Sequence, residues 1–121
     1  MTEKLLIIVT HGPDEPELAT IPFVMATTSQ ALEVEVVMGF QADGVLLVKK
    51  GIAELVEASA FPPLKTLLEA YVEAGGQMLA CAPCLKSRGI IPETDLINGV
   101  KVVNAASLVK ECTLATHVLT Y

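Results

Sequence analysis

The run Lys4-Leu5-Leu6-Ile7-Ile8-Val9 is almost entirely apolar and rich in β-branched residues. An unbroken apolar run of this length predicts a strand that is buried on both faces, as strands are in a parallel sheet. Val34-Glu35-Val36-Val37-Met38 is a second segment of this kind, and Gln77-Met78-Leu79-Ala80 is a third. We therefore expect these three segments to form the centre of the sheet.

Helical segments separate these strands. Pro62-Pro63 opens the clearest helix, since proline suits a first turn whose N–H groups have no partner. Gly75-Gly76 ends it. An earlier helix extends from about Leu18 to Leu32, where Pro22 leaves two interpretations: a start at Thr20 as N-cap, or a kinked longer helix. The apolar stripe of the Pro62-Pro63 helix recurs at helical spacing and consists of Leu64, Leu67, Leu68, Tyr71 and Val72.

Shorter patterns complete the alternation of strand and helix. Val45 to Val48 fits either a short strand or one buried helical turn. Ile90 to Leu96 has no regular pattern. The remaining segments are a weak helix over Ile52 to Ala58, a helix over Ala82 to Ser87, a strand over Val100 to Val103, a helix over Ala105 to Cys112 capped by Asn104, and a strand over Ala115 to Leu119. This order predicts a single three-layer α/β/α domain over residues 1–121, with a mostly parallel sheet of about five strands.

The apolar content bears on assembly and location. Of the 121 residues, 52% are hydrophobic, which excludes a disordered chain. When a domain this small folds, about a third of the surface that its unfolded chain exposes stays exposed. With this composition, part of that surface is apolar and contiguous. Such surface is typical of interfaces, and we expect a homo-oligomer. The absence of a long apolar run or a signal-peptide pattern predicts a cytoplasmic protein.

The charge balance limits the partners. Eight basic residues stand against fourteen acidic ones, for a net charge of −6, with no tryptophan and only 4% aromatic residues. Nucleic-acid-binding proteins need a basic footprint, often with stacking aromatic side chains, and membrane-surface helices are basic and amphipathic. We therefore expect neither nucleic acid nor a membrane as a partner.

The stretch Cys81-Ala82-Pro83-Cys84-Leu85-Lys86-Ser87-Arg88-Gly89 is the candidate site. Cys81 follows a strand and precedes a helix, the position at which open α/β sheets bind ligands. Helix N–H groups together with Lys86 and Arg88 favour a thiolate, the nucleophilic form of cysteine. We expect Cys81 to be the most reactive thiol, Cys84 intermediate, and Cys112, at a helix end beside Glu111, the least reactive. The alternative is that Cys81 is only a small buried hydrophobic residue.

These side chains also fit other uses. Cys-Ala-Pro-Cys is typical of a thioredoxin redox pair, but the 37 residues that follow Cys84 are too few for the rest of that fold. A Cys₃His zinc site from Cys81, Cys84, Cys112 and His117 rests on one weak motif, and we expect neither a metal nor another cofactor. His11 follows the first strand and either moves a proton in the same crevice or bonds local backbone.

Four features, taken in order, resemble the DsrE/DsrF-like sulfur-relay proteins. They are Thr10-His11-Gly12-Pro13 after the opening strand, Asp43-Gly44-Val45, Gly75-Gly76 before a strand, and Cys81 placed eight residues before Gly89. The resemblance covers essentially the whole chain. It implies the small three-layer α/β fold, oligomers that are often trimers or hexamers, and a cysteine at Cys81 that accepts sulfur as a persulfide and passes it to a partner protein.

The resemblance and the residues together leave three hypotheses. In the first, Cys81 is the persulfide carrier of a sulfurtransferase-type protein, Cys84 resolves or modulates it, and His11, Lys86 and Arg88 support it. In the second, Cys81 and Cys84 form a dithiol redox switch, since a neighbouring thiol can attack a persulfide, release sulfide and leave a disulfide. In the third, the protein is a non-catalytic oligomeric module.

Overall fold

A parallel sheet forms the middle layer of the protein. The computed structural model describes residues 2–121 and contains, within them, five strands that are all parallel. They are β1 (Lys4–Val9), β2 (Glu35–Phe40), β3 (Gln77–Cys81), β4 (Val100–Val103) and β5 (His117–Thr120). Their order across the sheet is β4-β3-β2-β1-β5. The three inner strands are the three that the apolar runs predict, so that expectation is confirmed.

Helices of both the α and the 3₁₀ type connect the strands. The helices are α1 (Pro16–Ala31), α2 (Leu64–Glu73), α3 (Ala82–Ser87), α4 (Pro92–Asp95) and α5 (Ala105–Leu114), with 3₁₀ helices at Ala42–Val48 and Ala53–Leu55. None of the helices within residues 2–121 combines the length and the hydropathy that crossing a bilayer requires.

Two hydrophobic clusters, one on each face of the sheet, confirm the three-layer arrangement. The larger contains Ile7, Met38 and Met78 from the inner strands, packed against Phe23 of α1 and Tyr71 of α2. The smaller cluster lies under α5 alone and contains Leu6, Ile8, Val37, Leu79 and Val103, with Leu108, Cys112 and Ala115 packed against it. Alternation along each strand sends neighbouring side chains to opposite faces, which explains this division.

Tyr71 links α2 to the sheet. Its ring is fully buried, and its hydroxyl donates to the carbonyl oxygen of Gln77 at 2.6 Å. Burial raises the pKa of the Tyr71 hydroxyl far above its ordinary value, so the group remains a donor. Gly76 lies directly against the ring, where a Cβ atom would overlap it. The Gly75-Gly76 pair therefore both ends α2, through a positive φ of 88° at Gly75, and admits the ring.

Several boundaries differ from those that the sequence predicts. The sequence places a turn from Gly39 onward, whereas β2 continues through Gly39 to Phe40. A Cβ at Gly39 would lie 3.0 Å from Leu108 Cδ1, so this glycine lets α5 pack closely on the sheet. Val45 to Val48 adopts the helical alternative as part of a 3₁₀ helix.

The ends of two helices also differ. Helix α1 begins at Pro16 and contains Pro22, which is buried, so the longer of the two predicted helices is the one that forms. The segment predicted to be irregular contains α4, which Asp95 stabilises by accepting the N–H of Ile91 at 2.7 Å. This bond holds the pKa of the Asp95 carboxyl below its ordinary value.

Candidate active site

The carboxyl ends of the inner strands form the edge on which the site is built. Strand register pairs Phe40 with Ala80 and Cys81 with Val103. Gln41, Cys81 and Val103 therefore lie in one row across β2, β3 and β4. Cys81 packs against the larger cluster, as Cys84 does, and also adjoins Ala105 and Leu108 of α5. The predicted position of Cys81, at a carboxyl strand end before a helix, is confirmed.

Helix α3 sets the relation between the two cysteines. Cys81 is its N-cap residue with extended backbone, and proline stands in its first turn. Leu85 is buried in the larger cluster and fixes the helix on the sheet. One turn of helix brings Cys84 back over Cys81, with a Cα–Cα distance of 5.2 Å, and the two residues are paired as a disulfide. The dithiol motif is thus assembled by local geometry.

A backbone donor from another strand end faces Cys84. The N–H of Ala42 donates to Cys84 Sγ at 3.3 Å. Ala42 opens the 3₁₀ helix after β2 and has a φ of 50°, a conformation that non-glycine residues rarely adopt. The start of this 3₁₀ helix packs closely on β1, because Gly44 lies against the carbonyl group of Val9 at the end of that strand. The end of β2 therefore supplies a fixed donor to the sulfur of the second cysteine.

Arg88 joins the same loop to α3. Its guanidinium contacts Asp43 Oδ1 through Nε at 3.0 Å and Nη2 at 2.9 Å, and its Nη1 donates to the carbonyl oxygen of Cys84 at 3.1 Å. The positive charge expected to support Cys81 is thus directed at the Asp43 carboxylate. Arg88 acts on the site by holding the Ala42–Asp43 backbone against α3. Lys86 is exposed on the same helix.

His11 lies at the end of β1, with β2 between it and Cys81, a separation of roughly 10 Å across two strand spacings. The hydroxyl of Thr10 donates to the carbonyl oxygen of Tyr121 at 2.7 Å, and its oxygen is 3.4 Å from His11 Nδ1. This contact is with a side chain and not with the local backbone that the sequence offered as the alternative, and the proton-transfer role stays a prediction.

Cys112 and His117 lie away from this edge. His117 starts β5, opposite Leu5 at the amino end of β1, and its Nε2 is 3.1 Å from Glu3 Oε2. Cys112 is half-buried on the side of α5 that packs against the smaller cluster. Among residues 2–121, no three His, Cys, Asp or Glu side chains converge as a metal site. The four candidate zinc ligands therefore lie at opposite ends of the strands.

A small cavity adjoins Cys81. Its volume is about 90 Å³, and Gln41 and Val103 flank Cys81 along its sheet side. Asn104, Ala105 and Leu108 of the α5 turn form the opposite wall. Asn104 Oδ1 accepts the N–H of Ser107 at 2.9 Å, which confirms the predicted cap and fixes this wall.

The chain matches a known protein family over nearly its whole length. The DsrE/DsrF-like family model matches residues 3–121, and this chain belongs to that family. It is 32% identical over 107 residues to the uncharacterized protein MK0008 of Methanopyrus kandleri, covering 88% of this chain and 84% of the relative. It is 30% identical over 118 residues to the uncharacterized protein MJ0989 of Methanocaldococcus jannaschii, covering 98% and 99%.

Solved structures give the same fold. The ychN protein from E. coli superposes with a TM-score of 0.81 at 21% identity, over 99% of this chain and all of that one. The protein of unknown function MTH1491 from Methanobacterium thermoautotrophicum superposes with a TM-score of 0.70 at 16% identity, over 98% of this chain and 99% of that one. The predicted single three-layer α/β architecture is confirmed.

The structure also makes a prediction about thiol reactivity. In the fully reduced protein, Cys81 and Cys84 should alkylate about tenfold faster than Cys112, because Cys81 stands at the N-terminus of α3 and Cys84 receives the Ala42 N–H, whereas Cys112 lies near the C-terminal end of α5. Timed alkylation at neutral pH followed by peptide mass mapping measures the three rates. Faster modification of Cys112 than of either other thiol would contradict the site assignment.

Proposed function

We propose that this protein is a sulfur-relay protein in which Cys81 accepts a sulfane sulfur atom as a persulfide and Cys84 controls its release. The observation that carries the proposal is the pairing of Cys81 with Cys84 at the carboxyl end of an inner strand. Family membership supports sulfur as the cargo. The paired geometry supports a role for the second thiol that a single cysteine would not have.

The loading step transfers one sulfur atom. The Cys81 thiolate attacks the outer sulfur of a donor persulfide, R–S–SH, which gives Cys81–S–SH and the thiolate R–S⁻. The new S–S bond replaces the one that breaks, so no outside oxidant or reductant is needed. Cys81 is the more suitable acceptor because it faces the cavity, whereas Cys84 faces the loop after β2.

The release step follows one of two routes. If a partner thiolate attacks the outer sulfur, that sulfur moves to the partner and Cys81 is regenerated. If Cys84 thiolate attacks the inner sulfur, hydrosulfide leaves and the Cys81–Cys84 disulfide forms, which a dithiol reductant must then reduce. The Ala42 N–H stabilises the Cys84 thiolate and so favours the second route in the isolated protein. Arg88 and Asp43 are positioning residues, because they hold that N–H in place.

A dithiol redox switch that never carries sulfur is the second candidate function. The disulfide between Cys81 and Cys84 favours it, because that bond is the product of simple thiol oxidation as well as of persulfide discharge. The two functions differ in whether Cys81 gains a sulfur atom when its neighbour cannot attack.

The test uses a variant that cannot discharge. Reduced Cys84→Ser protein, treated with a small excess of a polysulfide donor, should gain one sulfur atom on Cys81 in intact mass and peptide mapping. Cys81→Ser protein should gain none at position 84, and Cys112→Ser protein, as matched control, should behave as the parent does. If Cys84→Ser protein gains no sulfur while the parent forms only the disulfide, the redox switch replaces this proposal.

Self-assembly and cytoplasmic location belong to the same proposal. Large apolar side chains are exposed along α5 and the outer strands, with Val109 60% and Leu114 56% exposed. These residues support burial in a homo-oligomer, for which sedimentation at micromolar concentration is the measurement, and a trimer or hexamer is the expected species. A dominant monomer would contradict it. The thiolate chemistry supports a cytoplasmic location, where thiols are kept reduced.

A further inference from the structure

The cavity beside Cys81 distinguishes this thiol as the sulfur acceptor, and its size and lining also bear on the donor. Cys81 and Pro83 of α3 line it, whereas Cys84 receives the Ala42 N–H from the loop after β2. Two of the cavity's lining residues are well packed. Val103 is 8% exposed and belongs to the smaller cluster, and Leu108 packs over Gly39 of β2. Its outer wall is an exposed residue, Ala105, in the first turn of α5.

We infer that this cavity is the binding site for the transferred sulfur and selects short inorganic polysulfides as donors; it is lined by Gln41, Cys81, Pro83, Val103, Asn104, Ala105 and Leu108. The inference rests on the proposed function, since it concerns how Cys81 is loaded.

The size of the cavity carries the inference. A volume of about 90 Å³ accommodates a chain of a few sulfur atoms. Pockets that enclose a drug-sized organic ligand measure roughly 300 Å³ or more. A donor whose sulfane sulfur is attached to a peptide must therefore leave its organic part outside, while hydrogen disulfide or a short polysulfide enters whole.

The chemistry of the wall agrees with this donor class. Val103 and Leu108 present apolar surface, which suits polarisable, weakly hydrated sulfur better than a strongly hydrated oxyanion. The Gln41 side-chain amide is the polar group beside Cys81 in the strand row and can donate to a terminal sulfur. With hydrogen disulfide the step is Cys81–S⁻ + HS–SH → Cys81–S–SH + HS⁻, in which one S–S bond replaces another and hydrosulfide leaves.

The experiment narrows the cavity without changing Cys81. Ala105→Leu places a larger side chain on the exposed wall, and Ala106→Leu, one residue further along the same exposed turn and outside the cavity, is the matched control. Both are made in the Cys84→Ser background. Persulfide formation on Cys81 is followed by mass with two donors, an inorganic polysulfide and glutathione persulfide, each rate divided by that of N-acetylcysteine with the same donor.

The expected result has two parts. The inorganic donor should load Cys81 about tenfold faster than glutathione persulfide after this normalisation, and Ala105→Leu should slow inorganic loading about tenfold or more while Ala106→Leu changes it less than about twofold. If Cys81 loads equally well with both donors, or if Ala105→Leu loads as fast as its control, the cavity inference is wrong and the proposed function stands. If no donor loads Cys81 in any variant, both are wrong.

Discussion

Replacing Cys84 with serine should slow hydrosulfide release from persulfidated Cys81 by about two orders of magnitude or more. The reason is proximity. Cys84 lies one helical turn away, with the two Cα atoms 5.2 Å apart, and its sulfur receives the Ala42 N–H. A tethered nucleophile acts at an effective concentration far above that of a free thiol, so in its absence release depends on external thiol at millimolar concentration.

The measurement is the rate of hydrosulfide release, divided by the amount of persulfide loaded, in the absence of added thiol. Arg88→Lys is the graded control, since lysine keeps the charge but loses the forked contacts to Asp43 and to the Cys84 carbonyl. We expect it to slow release several-fold while leaving loading nearly unchanged. Equal release from Cys84→Ser and the parent would show that Cys84 is not the attacking group.

Gly44→Ala should lower the free energy of unfolding by about 3 kcal/mol or more. A Cβ at this position would overlap the carbonyl oxygen of Val9 and lie 2.7 Å from its carbonyl carbon. Both neighbours are backbone of a fully paired inner strand, so neither can yield as a side chain would. The Ala42–Val48 3₁₀ helix must then lift away from β1, and the contacts of Ala42 and Asp43 to α3 are lost with it.

Gly51→Ala is the matched control, because it introduces backbone strain without a steric overlap. Gly51 has a φ of 83°, and no atom lies within 4 Å of the place that a Cβ would take, so alanine there meets only backbone strain of about 1–2 kcal/mol. Urea denaturation of both variants gives the comparison. A Gly44→Ala protein as stable as Gly51→Ala, or more stable, would contradict the close-packing argument.

The sequence predicts the strands well because burial on both faces leaves an unbroken apolar signature. It predicts the ends of elements less well. Gly39 is ordinarily a turn signal, and only the position of Leu108, distant in the chain, explains why β2 continues through it. Pro22 is tolerated inside α1, where its side chain is buried. This burial is a tertiary effect that local helix propensity does not include.

The candidate site divides in the same way. The proximity of Cys81 and Cys84 follows from a strand–helix junction and a spacing of three, both visible in the sequence. The donor to Cys84 is a main-chain N–H, which every residue but proline carries, so no pattern marks Ala42 for that role. The nearness of Arg88 in the chain predicts that its charge serves Cys81, but the guanidinium has a carboxylate partner 45 residues away. The sequence pattern around Asp43 indicates only a turn and does not predict an ion pair with Arg88.

The pairing of β1 with β5 has a consequence for how the chain reaches this structure. Leu5 lies opposite His117, so the two partners are 112 residues apart, and Thr116 bonds Lys4 across the same distance. Loop-closure entropy must be overcome before such a contact contributes, and chains dominated by distant pairings fold slowly, in about milliseconds to seconds. Until β5 docks, one edge of β1 has free N–H and C=O groups. Docking of β5 therefore replaces the six-residue edge of β1 by the four-residue edge of β5, a shorter strand on which a second chain could aggregate.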